Sequence, residues 1–193
     1  MKKGILFLLI GILLIGVVSI MAQQEGLGMQ SNSEISNQQK VKAGNYTGEG
    51  GQQIQIKEQS NNRFKLKING IEVDCDGNLT QEQVQNKTKL KMKLSNGKNA
   101  EIKIMPDTAS ETALQRLRLK VCSEENNCTI QLKEVGKGNQ TQAAYEIQAQ
   151  RHARLLGMFR LKMQTRAQIS AENGDIIKVK KPWWAFLATE PEE

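Results

Sequence analysis

Histidine occurs once in these 193 residues, at His152, cysteine and proline three times each, and aromatic side chains make up only 4%. A single histidine leaves little for catalysis, because general acid–base and nucleophilic sites ordinarily set a base beside the reacting group. No CxxC pair occurs, so three cysteines and an isolated histidine lack the spacing of a zinc site. Asp74 and Asp76 flank Cys75 in VDCDGN, but an EF-type calcium loop needs its glycine at the sixth position and Gly77 falls at the fourth. Asp76-Gly77 reads more simply as a turn. The formal charge of +7 is a mild excess and makes no case for nucleic acid. The inventory predicts no catalytic residue, no metal, no cofactor and no nucleic-acid partner.

What is present begins with MKKGILFLLIGILLIGVVSIMA, residues 1–22. Lys2 and Lys3 form a basic start, Gly4 to Ala22 carry no charge, and the chain then turns abruptly polar. This is the pattern of a secretory signal peptide cut after Ala22, with Ile20 larger than the usual small residue at −3. The uncharged run also approaches a bilayer-spanning length, so an uncleaved signal anchor is a second reading. A prepilin-like cut after Gly4 is a third, without the acidic residue such signals carry shortly after the cut. All three put the remainder outside the cytoplasm, secreted or anchored at the cell surface. Cleavage after Ala22 leaves 171 residues and a charge of +5. An oxidising compartment suits a disulfide between Cys122 and Cys128, whose short polar spacer SEENN lets the ends meet.

Residues 23–44 are rich in Gln, Ser, Asn and Gly and read as a flexible linker. From Asn45 the hydrophobic period is two. Ile54 and Ile56, then Phe64, Leu66 and Ile68, then Ile71, Val73 and Cys75 mark strands, with Asn69-Gly70 a tight-turn signal. Leu90, Met92 and Leu94, the turn SNGKN, and Ala100, Ile102 and Ile104 complete an antiparallel meander over 45–106. Cys75 falls in register with Ile71 and Val73 and reads as a buried thiol. Thr108 and Glu111 form a capping box and predict a helix start, with Leu114, Leu117 and Val121 on one stripe. Ile130 and Leu132, then Tyr145, Ile147 and Ala149, then Leu161 to Ile169, then Ile177 and Val179 mark four more strands. RHARLLGMF, residues 151–159, reads as a connection broken at Gly157, and residues 182–193 as an aromatic tail. The fold class predicted is α+β, mostly antiparallel β: an N-terminal β-meander, then a helix packed on a four-stranded antiparallel sheet.

AAYEIQA at 143–149 and AQISAENGDIIKV at 167–179 make residues 107–181 resemble a PepSY module. Such modules have a helix followed by antiparallel strands, a YEV-like strand, and a later strand ending in a D-A-x-T-G-E-V-like turn. Ser170 stands in place of the usual Asp, and RHARLLGMFRLKM in place of the usual short turn. The resemblance implies a binding module without catalytic residues, with regulation of a peptidase as one form of the role. The whole chain, with its KKPWWAFLA end, also resembles uncharacterised exported archaeal proteins, which implies no activity.

Three surface features carry the functional expectation. Arg160, Lys162 and Arg166 alternate with apolar residues and share one sheet face, which Lys178 and Lys180 extend; such a face recruits an anionic partner or is simply solvated. Trp183, Trp184 and Phe186 suit a membrane boundary or a partner groove, or else cap the apolar end of the sheet. Five Asn-x-Thr sequons, at Asn45, Asn78, Asn86, Asn127 and Asn139, exceed chance and fall in or beside expected turns, where a glycan is tolerated. The sequence thus predicts an exported, non-enzymatic binding module whose partner is an envelope protein or an anionic surface component, with the membrane added if the N-terminal segment is uncleaved. A structural envelope or filament-associated role, anchored by that segment, is the alternative.

Overall fold

Alternating side chains and tight turns build most of the structure, a computed structural model that describes residues 39–60, 63–117, 122 and 127–189. The export segment, most of the linker, the helix end expected near Val121 and the last four residues lie outside the described residues. Thirteen strands and one α-helix are found among those described: β1 (Gln39–Lys40), β2 (Gly44–Thr47), β3 (Gln53–Glu58), β4 (Phe64–Ile68), β5 (Ile71–Asp76), β6 (Asn78–Val84), β7 (Lys87–Lys93) and β8 (Asn99–Glu101) precede α1 (Pro106–Leu117), and β9 (Thr129–Val135), β10 (Gln142–Leu155), β11 (Phe159–Ser170), β12 (Ile176–Lys180) and β13 (Ala188–Thr189) follow it. The protein is α+β and mostly antiparallel, with the helix packed on the sheet.

Antiparallel ladders join β2 to β5 in sequence, and Ile54, Ile56, Phe64, Leu66, Ile68, Val73 and Cys75 all point to one buried face. The β4–β5 turn uses Asn69 (φ 50°) and Gly70 (φ 85°), the left-handed pair a two-residue hairpin needs. The expected meander then divides. At Gly77 the chain leaves this sheet, and β6, β7 and β8 form a second, four-stranded sheet with β1 on the far side of β6. β1 and the buried Val41 also show that the ordered chain begins before residue 45, inside the stretch expected to be linker. Leu79, Leu90, Met92 and Ala100 of the second sheet share one hydrophobic core with the first.

After the helix, β9 returns to lie beside β5, and the two pair in parallel through Asp74 to Asp76 and Gln131 to Lys133. This junction makes a nine-stranded sheet in the order β12-β11-β10-β9-β5-β4-β3-β2, with β13 added to β10. The described residues fall in one compact unit, Ser36–Glu193. The helix begins two residues before the expected capping box. Pro106 takes the first helical position, where its missing N–H costs nothing, and Asp107 rather than Thr108 accepts an amide, the Thr108 N–H, at 2.9 Å. Its buried stripe is Ala109, Ala113 and Leu117, packed on β10, β11 and β5. Tyr145, fully buried beneath it, donates from its hydroxyl to the Ile104 carbonyl at 2.9 Å, and burial holds that phenol well above its ordinary pKa.

The stretch 151–159 is strand rather than connection. β10 and β11 pair without interruption from Ala144↔Ser170 to Leu155↔Phe159, leaving only Leu156, Gly157 and Met158 as the turn. Arg151 hides the alternation. It lies on the inner face and gives a guanidinium hydrogen bond, 3.3 Å long, to the Leu117 carbonyl at the end of the described helix, where a cation also suits the helix dipole.

Candidate functional site

The β10–β11 hairpin frames the candidate site, and β9, β12 and the tail add residues to it. The hairpin's inner face presents Tyr145, Ile147, Ala149, Met163, Ala167 and Ile169 to the core. On the outer face at its root stands Glu146, only 1% exposed. Lys133 meets this carboxylate at 2.7 Å, Arg166 at 3.4 Å, and the Gln168 and Gln148 amides donate to it at 2.7 and 2.8 Å. Burial pushes the Glu146 carboxyl up, but these donors and cations outweigh it and leave the pKa below the ordinary value. Arg166 also donates to the Gln148 side chain at 3.2 Å. Of the five cations expected to form an anionic-partner surface, Arg166 is therefore committed to an internal carboxylate. Arg160, Lys162, Lys178 and Lys180 are exposed, and the register Arg166↔Lys180 and Gln168↔Lys178 puts all five on one face.

Toward the free end the pairing changes character. Arg154 lies directly opposite Arg160, and His152 opposite Lys162. The Arg154–Arg160 rung sets like charges directly opposite each other, which destabilises a ladder. Among the described residues no acidic side chain pairs with Arg154, Arg160 or Lys162. Arg154 was hidden from the sequence reading by the assignment of 151–159 as a connection.

The tail completes this end. β12 lies along the β11 edge, whereas β13 pairs with β10 at Arg154 and Leu155, so the chain between them crosses the hairpin. Ala153 and Met163 are buried while Arg154, Arg160 and Lys162 are exposed, which puts the crossing on the inner face. The Leu156 N–H donates to the Leu187 carbonyl at 3.1 Å and ties the turn to the tail. The expected aromatic residues divide: Trp184 is half-buried in the crossing, but Trp183 is 80% and Phe186 77% exposed. With Leu156, Met158, Phe159, Leu161 and Leu187 they make one apolar end. Those seven are all but one of the eight large apolar side chains exposed among the described residues, the eighth being Ile176.

The remaining candidates lie elsewhere. Cys122 and Cys128 form a disulfide with a Cα–Cα distance of 5.1 Å, the kind of bond that persists in an oxidising environment. Cys75 is unpaired and buried, and burial pushes its thiol up to about 12. Its neighbours Asp74 and Asp76 project from the opposite face, within 4.0 Å of Lys65 and 3.6 Å of Arg63. His152 is exposed on that same outer face, away from Cys75. No group of three or more His, Cys, Asp or Glu side chains converges as a metal site among the described residues, and no described helix is long and apolar enough to cross a membrane. All five sequon asparagines are exposed. Asn45 stands within edge strand β2 rather than in a turn, and the Asn127 amide donates to the Gln150 side chain at 3.1 Å. No protein-family model, curated protein or solved structure matches the chain.

Proposed function

We propose that this chain is an exported, non-enzymatic binding module of the cell surface, and that its contact surface is the free end of the β10–β11 hairpin with the tail laid across it. The clustering of seven exposed large apolar side chains at that end carries the reading. Single exposed apolar residues are ordinary, whereas a cluster of them rimmed by polar or charged residues is the mark of an interaction surface. Arg160 and Lys162 beside it support an anionic envelope partner, and Lys178 and Lys180 continue the basic face toward the root. The PepSY-like pattern implies the same class of role, binding without catalysis, with a peptidase as one partner it would regulate. In a host with an N-glycosylation pathway, sugar belongs on Asn45, Asn78, Asn86 and Asn139 before Asn127, whose amide is already engaged.

Cysteine labelling in intact cells tests both halves of this reading. The native cysteines give little background, because Cys75 is buried and the other two are bonded. Met158→Cys places a thiol at the hairpin turn, and Lys98→Cys places one in the distant β7–β8 turn. With an impermeant maleimide, Lys98→Cys reacts in intact cells. Met158→Cys reacts several-fold more slowly there and equally fast once the protein is solubilised. No labelling of either thiol argues against export. Equal labelling of both in intact cells removes the hairpin end as the contact surface.

A further inference from the structure

The rungs behind the hairpin turn gather cations without a carboxylate among the described residues, unlike the root of the same ladder. Arg154 faces Arg160 and His152 faces Lys162 across the ladder, with no carboxylate between them among the described residues. At the root, by contrast, the outer-face cations Lys133 and Arg166 close on Glu146. Opposed cations cost stability that an anionic ligand recovers on binding. The apolar residues sit just ahead of these cations. Phe159 pairs with Leu155 on the last rung, and Met158 lies in the turn beyond it. At about 3.3 Å per residue, Arg154 and Arg160 lie one residue behind that rung and Lys162 roughly 10 Å behind it. An apolar leading edge of Met158 and Phe159, with a collar of arginine and lysine set back by this distance, matches the depth profile of a bilayer surface.

We infer that the hairpin end docks on a membrane of anionic phospholipid, with Met158, Phe159, Trp183 and Phe186 entering the boundary between headgroups and acyl chains and Arg154, Arg160 and Lys162 binding lipid phosphates. The inference rests on the reading of this end as the contact surface and names the partner as lipid rather than protein. A protein groove would ask for a shaped, partly desolvated complement. The opposed cations and freely projecting aromatics instead suit a fluid, diffuse anion.

The chain supplies its own reporter, because its only tryptophans are Trp183 and Trp184. The full-length protein is reconstituted into phosphatidylcholine vesicles with or without about 30% phosphatidylglycerol, the acyl chains brominated at defined depths. The N-terminal apolar segment is the same in both, so a difference in tryptophan emission reads the hairpin end. In the anionic vesicles emission moves to the blue and is quenched by bromine at roughly 5–10 Å depth. Added salt weakens the effect. Arg154→Glu with Arg160→Glu reduces it by at least roughly thirtyfold, about a factor of five for each cation removed, with unchanged circular dichroism. Neutralising the carboxylates that follow in sequence, by Glu190→Gln, Glu192→Gln and Glu193→Gln, raises it. Quenching that is equal in anionic and neutral vesicles, or absent from both, overturns the inference. If Met158→Cys nevertheless stays protected in intact cells, the contact-surface reading stands with a protein as partner. If that protection is also absent, both readings fall together.

Discussion

At the root of the β10–β11 hairpin a buried carboxylate gathers the surrounding cations, and at its free end cation faces cation. The two regions are made from the same strands. Near Glu146 the cations Lys133 and Arg166 close on one carboxylate, and the inner face is sealed by α1 through Ala109, Ala113 and Leu117. Near Arg154 the ladder is kept but its side-chain pairing is wrong for stability, and the apolar residues point outward. Local rules that hold at one end and fail at the other, on one continuous ladder, locate the part of the molecule whose residues answer to something besides folding.

Mutations at matched positions widen that contrast. The largest effect is expected at the root. Ile147→Ala, inside the core between Ile130 and Ala167, should cost about 2–5 kcal/mol in urea unfolding. Tyr145→Phe comes next, since it leaves the half-buried Ile104 carbonyl without its donor, and should cost about 1 kcal/mol by the same assay. Acid should then weaken the root selectively. The Glu146 pKa is lowered in the folded state, so its stabilising contribution is complete above the unfolded value near 4.5 and is lost as pH falls through the lower folded value. Glu146→Gln should flatten that part of the stability–pH curve; an unchanged acid limb would show the network to be irrelevant there. The smallest effect belongs to the free end. Phe159→Ser or Arg160→Glu should change stability by no more than about 0.5 kcal/mol. Leu161→Ala, at a position still 38% exposed, should cost well below the usual core penalty. A large loss at any of these three would mean that the end is structural and would erase the contrast.

Much of this was legible in the residues themselves. Period-two alternation places Ile71, Val73 and Cys75 on one face and Arg160, Lys162 and Arg166 on another, because a pleated strand allows nothing else. Asn69-Gly70 announces its own turn. The losses have equally local causes. β6, NLTQEQV, buries Gln81 and Glu82 and so lacks an apolar signature. The distal half of β10 turns Arg151 inward to the helix end, which scrambles the alternation and conceals Arg154, Leu156 and Phe159 as parts of a strand end. That Arg166 serves Glu146 rather than a partner depends on cross-strand register, which one strand's pattern does not contain. The division of the meander at Gly77 and the neighbour of β5 are likewise questions of pairing, and alternation names a face without naming a neighbour.

The parallel seam between β5 and β9 has a kinetic consequence. Asp74 and Gln131 meet across more than fifty residues, and β6, β7, β8 and the helix lie in the loop they close. Hairpins on either side can form from near neighbours in microseconds, but the seam cannot be zipped from a turn. Its closure bears the entropy of a long loop and rewards it with only three residue pairs of ladder. Folding should therefore fall in the millisecond-to-second range of non-local β topologies. Until the seam closes, the facing edges of β5 and β9 remain open to any other strand that arrives first.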